Sequence, residues 1–217
     1  MKTISPTPYP DVNDILHLLL TNVQRILAND FVGMYLFGSL ANGDFDKYSD
    51  IDVLIVTNEK VSDHNFAALK EMHEHIQEID SPWAVQLEVS YIPKKALRRH
   101  NPSDNEHPHL DRDKGERLHM LRHGTDWIVQ RHTLRVRERG VTLVGPELKT
   151  LIDFVSPDDL RKAMQPLLFD WYAHFPDKPN PFGSRGYQSY VVLSLCRILY
   201  TLEEGAVVSK PAAARWA

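Results

Sequence analysis

The sequence predicts an α/β region to about residue 155 and an all-helical region over residues 156–217. Three observations carry that expectation. Val32 to Phe37 and Ile51 to Thr57 are short apolar runs of strand length, the second rich in β-branched residues. Val85 to Tyr91 alternates, with Val85, Leu87, Val89 and Tyr91 on one side and Gln86, Glu88 and Ser90 on the other. At Ser156-Pro157-Asp158-Asp159 the pattern changes to a helix start, and only helical patterns follow.

Taken in order, the first ten residues hold three prolines and read as a loose arm. Asp11 stands where an N-cap belongs, and Val12, Ile15, Leu16, Leu19, Val23, Ile26 and Leu27 then repeat with the spacing of one helix face. The strand at 32–37 ends in Gly38-Ser39, and Gly43 with its polar neighbours forms a turn before the strand at 51–57. Ser62 caps a helix reaching about Glu78. After the alternating strand, Arg98 to Lys114 is polar and without apolar period, which reads as a surface loop. Shorter elements fall around Trp127 to Arg139 and Val141 to Val144. The helix begun at Ser156 runs to about His174, and the Pro- and Gly-rich stretch Phe175 to Gly186 is a loop. An apolar helix spans about Tyr187 to Glu203, Gly205 is placed to end it, and Ser209 caps one more helix.

Composition excludes several classes. Of 217 residues, 42% are hydrophobic and 25% charged, which suits a globular chain and rules out a disordered one. A net charge of −4 gives no basic excess for non-specific nucleic-acid binding. The lone Cys196 forms no intrachain disulfide and no Cys-rich zinc site, which fits a reducing cytoplasm. The N-terminus lacks the apolar core of a signal peptide, and Tyr190 to Leu202 is too short to span a bilayer. The expectation is a cytoplasmic enzyme with no nucleic-acid or membrane partner.

The chemistry concentrates between the first two strands, in Gly38-Ser39-Leu-Ala-Asn-Gly43-Asp-Phe-Asp-Lys-Tyr-Ser49-Asp50-Ile-Asp52. Asp50 and Asp52, two apart at a strand start, project from one face. Two such carboxylates repel unless a proton or divalent cation lies between them. Gly38 and Ser39 end the preceding strand, where a close-approaching backbone and a hydroxyl suit phosphate oxygens. Either half alone reads better as a simple Gly-Ser turn or a solvated Asp-x-Asp at a strand edge. Together, in order and flanked by strands, they fit transfer from a nucleoside triphosphate.

Gly-Ser followed by ten residues and Asp-Ile-Asp resembles the signature of the DNA polymerase β-like nucleotidyltransferase superfamily. Its third carboxylate lies on a neighbouring strand, and Glu88 fits that place. Gly140-Val-Thr-Leu-Val-Gly145-Pro146, Leu193-Ser-Leu-Cys-Arg197-Ile-Leu-Tyr200 and Val208-Ser209-Lys210 to Trp216-Ala217 are similar to segments of the streptomycin and spectinomycin adenylyltransferases. The resemblance implies an α/β nucleotidyltransferase domain, a small mixed sheet with flanking helices, over 1–155 and a helical domain over 156–217, shorter than the family's. It implies that Asp50, Asp52 and Glu88 bind Mg2+, with Glu88 as base. It implies that Gly38, Ser39 and Ser49 hold the phosphates of ATP, and that Arg197 and Lys210 reach the nucleotide from the helical domain. The acceptor implied is a small cationic, hydroxyl-bearing molecule such as an aminoglycoside.

An Arg within an apolar helix face needs a partner, which a nucleotide phosphate or a buried acid supplies. Lys210 reads by itself as an ordinary first-turn lysine. In the family a Trp and an acid contact the drug; Trp171 matches the first, and Asp177, beyond a longer loop, is placed on the second. The family's aromatic near 105–115 is replaced by His107-Pro-His109-Leu-Asp111. His119 and His123, four apart, are candidate ligands on a helix face, but more simply solvated histidines. Two competing readings keep the site and change its use: adenylylation of a protein, as in antitoxins of this superfamily, or an inactive nucleotide-binding module.

Overall fold

A computed structural model describes residues 6–46, 49–124, 137–174 and 185–217. Helix α1 (Pro10–Leu27) leads through a short 3-10 turn into β1 (Phe31–Leu36) and the single-turn α2 (Gly38–Asn42). Then come β2 (Ile51–Thr57), α3 (Asp63–Gln77), β3 (Leu87–Pro93) and the short α4 (Lys94–Arg98). Strands β4 (Glu106–Leu110), β5 (His119–Arg122) and β6 (Val141–Val144) precede α5 (Leu148–Leu151). Helices α6 (Pro157–His174), α7 (Arg185–Glu204) and α8 (Lys210–Trp216) complete the chain.

The strands form one mixed sheet in the order β5-β4-β3-β2-β1-β6. β2 and β3 run parallel, joined through α3 as a parallel pair requires a crossover. The neighbouring pairs are antiparallel. Val12, Ile15, Leu16, Leu19 and Val23 of α1 and Leu69, Met72 and Ile76 of α3 bury one face of the sheet on Ile51, Val53, Ile55, Val89 and Tyr91. On the other face Leu54, Val56 and Ile92 meet Ala96 and Leu97 of α4 and Leu148 and Leu151 of α5. β2 is thus covered on both sides, which explains its unbroken apolar run. Asp52 lies on the face of Leu54 and Val56, at the start of the strand.

Most elements fall where the sequence puts them, and four differ. The helix expected to be capped by Asp11 starts two residues earlier, at Pro10 with Tyr9 in the cap position, and Asp11 lies in its first turn. Proline is suited to that place because its missing N–H has no partner there. Of the expected loose arm, Thr7 is buried and its N–H and hydroxyl both donate to Asn13 Oδ1. The expected loop of 98–114 contains β4, whose His107, His109 and Leu110 are buried beside β3. His119 and His123 lie on β5 and just past its end, not on a helix. Most of the element expected at 127–139, and most of the loop expected at 175–186, lie outside the described residues.

The turn after β6 has a steric cause. β6 pairs with β1, and Gly145 has φ +118° at a point where a Cβ would stand 2.7 Å from Gly33 Cα and 2.8 Å from Val32 O. The Tyr35 hydroxyl, pushed up to a pKa of about 12 by burial, donates to Pro146 O at 2.9 Å. In the C-terminal region Leu160, Ala163 and Met164 of α6 pack with Ile198 of α7 and Val207. Arg161 donates to Leu202 O and Glu203 O, closing the end of α7 just before Gly205 at φ +63°.

Candidate active site

Asp52 and Glu88 are register partners on the parallel strands β2 and β3, so their side chains leave the sheet side by side. Asp50, two residues before Asp52, joins them. One carboxylate oxygen from each lies within 4.8 Å of the others, and all three residues are half-buried. Among the described residues this is the one group of three acidic, histidine or cysteine side chains arranged to hold a metal ion.

Local backbone bonds fix the trio. Phe37 N–H donates to Asp52 O at 3.1 Å, which extends the β1–β2 ladder and brings the chain across the Asp52 side chain. Ile51 N–H donates to Gln86 O at 2.8 Å and sets the level of Asp50 and Asp52 against the approach to β3. Gly38 follows with φ +69°, and a Cβ there would lie 2.6 Å from Asp52 Cγ. The glycine is required both by its left-handed backbone and by the carboxylate it faces.

The turn after Gly38 is polar and partly unsatisfied. Gly43, at φ +78°, ends α2, and Asp44 N–H donates to Ser39 O at 3.1 Å. The Ser39 hydroxyl is buried and has no hydrogen-bond partner. Asn42 Nδ2 donates to Gly38 O at 2.6 Å, while its Oδ1 is buried with no hydrogen-bond partner. Asn42 is the residue sequence reasoning missed, because Asn-Gly reads as turn punctuation. Its signal was the four-residue spacing back to Gly38. Ser49 closes the next turn: its hydroxyl accepts from Asp46 N–H and donates to Asp46 Oδ1, both at 3.0 Å.

The other expected site residues lie in the helical region. Arg197 is on α7, one turn before Thr201, whose hydroxyl donates to Arg197 O. Lys210 opens α8, which Ser209 caps, and its Nζ sits 4.2 Å above the centre of the Tyr190 ring. Trp171 belongs to the last turn of α6, and Asp177 lies outside the described residues. On the far strands, His109 Nδ1 bonds the Ser90 hydroxyl at 2.8 Å, and Asp111 lies 3.4 Å from His109 Nε2 and 3.7 Å from His119 Nε2. Trp83 stacks on Phe45 and Phe45 on Tyr9, a packing role as expected. No helix among the described residues is long and apolar enough to cross a membrane.

Known proteins are similar to this chain in sequence and in fold. The nucleotidyltransferase domain family matches residues 20–114, and the aminoglycoside adenylyltransferase C-terminal domain family matches residues 150–217. A spectinomycin 9-adenylyltransferase of Staphylococcus aureus is 27% identical over 202 residues, covering 90% of this chain and 74% of the relative. An aminoglycoside (3'') (9) adenylyltransferase of Klebsiella pneumoniae is 25% identical with the same coverage. In fold the chain is similar to a spectinomycin adenyltransferase from Enterococcus faecialis, solved with ATP and spectinomycin, with a TM-score of 0.69 over 92% of this chain and 79% of that one, at 18% identity. The chain thus matches a nucleotidyltransferase domain followed by an aminoglycoside adenylyltransferase C-terminal domain.

Proposed function

We propose that this chain transfers AMP from ATP to a hydroxyl of an aminoglycoside or aminocyclitol, releasing pyrophosphate. The observation that carries the reading is the trio Asp50, Asp52 and Glu88, with oxygens within 4.8 Å, beside a glycine that leaves no room for a side chain. The residues fit a divalent cation, since three carboxylates so close repel one another without a positive charge between them. They also fit a phosphate group, because the buried Ser39 hydroxyl lacks a partner next to the glycine.

In the proposed mechanism Asp50, Asp52 and Glu88 hold Mg2+, and Glu88 also serves as base. When bound, the metal supplies charge neutralisation at the α-phosphate and at the departing pyrophosphate. Ser39 donates to a phosphate oxygen, and Gly38 lets the backbone approach. Ser49 is the second hydroxyl on the phosphates, its O–H turning from Asp46 Oδ1 to donate to a phosphate oxygen. Glu88 accepts the proton of the acceptor hydroxyl, whose oxygen attacks the α-phosphorus as the bond to pyrophosphate breaks. Arg197 and Lys210 bring positive charge to the nucleotide from the helical region, and Trp171 and Asp177 contact the acceptor. The nucleotidyltransferase domain spans 1–155 and the helical domain 156–217, and the chain acts in the cytoplasm.

The test is incubation with ATP, Mg2+ and a panel of aminoglycosides and aminocyclitols, followed by mass spectrometry. Addition of one AMP to an antibiotic supports the reading. A label on protein and on no antibiotic would point to the antitoxin-like alternative. ATP binding indifferent to Mg2+, with no transfer, would identify an inactive binding module.

A further inference from the structure

Asn42 offers the nucleotide site a contact that the carboxylates and serines do not supply. Its amide nitrogen faces Gly38 O at 2.6 Å, and that carbonyl can only accept. The orientation of the amide is therefore fixed by chemistry, with nitrogen toward Gly38 and oxygen on the other side. That oxygen is buried and has no hydrogen-bond partner. The Ser39 hydroxyl, three residues earlier and thus on the same side of the turn, is buried and without a hydrogen-bond partner too. Two unsatisfied groups side by side in a turn that touches Asp52 are costly unless a ligand completes them.

The two groups ask for different things. Ser39 can donate, which suits a phosphate oxygen. Asn42 Oδ1 can only accept, so phosphate cannot satisfy it and a donor must. Resting on the nucleotide reading above, we infer that Asn42 Oδ1 accepts a hydrogen bond from an O–H group carried by bound Mg-ATP, a ribose hydroxyl or a metal-bound water. Asn42 is then a nucleotide-binding side chain that also holds the Gly38 peptide in place.

Two variants separate these roles. Asn42→Ala removes both the Gly38 bond and the acceptor. Asn42→Ser keeps a hydroxyl able to bond back to the carbonyl four residues earlier, yet cannot place an acceptor where Oδ1 stands. Calorimetric titration of Mg-ATP should show both variants binding roughly five- to tenfold more weakly than wild type, as loss of one neutral hydrogen bond requires. The melting temperature of Asn42→Ser should stay close to wild type. Repeating the titration with 2'-deoxy-ATP and 3'-deoxy-ATP identifies the donor. If a ribose hydroxyl donates, the matching deoxynucleotide binds wild type and Asn42→Ser equally. If a metal-bound water donates, both deoxynucleotides keep the five- to tenfold difference. Asn42→Ser binding Mg-ATP as tightly as wild type overturns the inference and leaves the proposed function standing. Failure of the wild-type chain to bind Mg-ATP overturns both.

Discussion

Gly38 and Asp52 occupy a space that excludes a β-carbon between them. The glycine has φ +69°, and the place its Cβ would take lies 2.6 Å from Asp52 Cγ. The contact joins the turn after β1 to the carboxylate at the start of β2, which the Phe37 N–H to Asp52 O bond draws together. The turn proposed to approach phosphate and a carboxylate proposed to bind metal are thereby held in one fixed relation.

Gly38→Ala tests that relation. The left-handed backbone costs a non-glycine residue about 1 kcal/mol. The larger effect is geometric, since Asp52 must turn away from Asp50 and Glu88. A displacement of this size in a reacting site costs on the order of 100-fold in rate. Steady-state kinetics should show at least that loss, with a melting temperature only a few degrees lower. Full turnover in this variant would mean that the Asp52 position seen here is not the reactive one.

Asp50→Asn should separate metal binding from folding. Three carboxylates with oxygens within 4.8 Å repel one another when no cation is present. Removing one charge should raise the melting temperature in EDTA, by about 2–4 °C if the relief is near 1 kcal/mol. Mg2+ should then stabilise wild type and not the variant, while AMP transfer is lost. Equal melting temperatures with and without Mg2+ in the wild type would contradict the role given to the trio.

The trio was legible because it obeys strand periodicity: Asp50 and Asp52 differ by two, and Glu88 falls on the polar side of an alternating run. Their convergence needed only that the two strands be neighbours, and the register then pairs Asp52 with Glu88 directly. β4 was not legible for the opposite reason. Glu106-His-Pro-His-Leu110 looks like loop by residue type, yet His109 is buried because Ser90 on the next strand takes its Nδ1. Partners distant in sequence make polar residues into core, and no local pattern reports them.

Arg161→Ala should loosen the helical region at one identifiable end. Its guanidinium donates to Leu202 O and Glu203 O, two carbonyls that the end of α7 leaves without helical partners. Loss of these charge-assisted bonds should cost about 2 kcal/mol. Hydrogen exchange should quicken across residues 198–210, including the approach to Lys210, and remain unchanged in β2 and β3. Arg161→Lys should rescue only in part, because a single ammonium lacks the planar fork that reaches both carbonyls. Uniform quickening through the sheet would show that Arg161 supports the whole fold rather than this helix end.

His73 should make the chain acid-sensitive. Its ring is buried between α3 and β3, with Nε2 2.7 Å from the Tyr91 hydroxyl, and burial lowers its pKa from 6.5 to about 3. In the unfolded chain the imidazole takes a proton near pH 6.5, whereas in the folded chain it stays neutral until about pH 3. The unfolded state therefore binds more protons across that window, and stability falls as pH falls through it. The slope contributed by this one group approaches 1.4 kcal/mol per pH unit. His73→Leu removes the titration but leaves the buried Tyr91 hydroxyl without its partner, costing about 2 kcal/mol at pH 8. Denaturant melts from pH 8 to pH 4 should show the variant less stable at the upper end and losing less on acidification, so that the two curves cross at about pH 5. Parallel curves would place the acid sensitivity elsewhere.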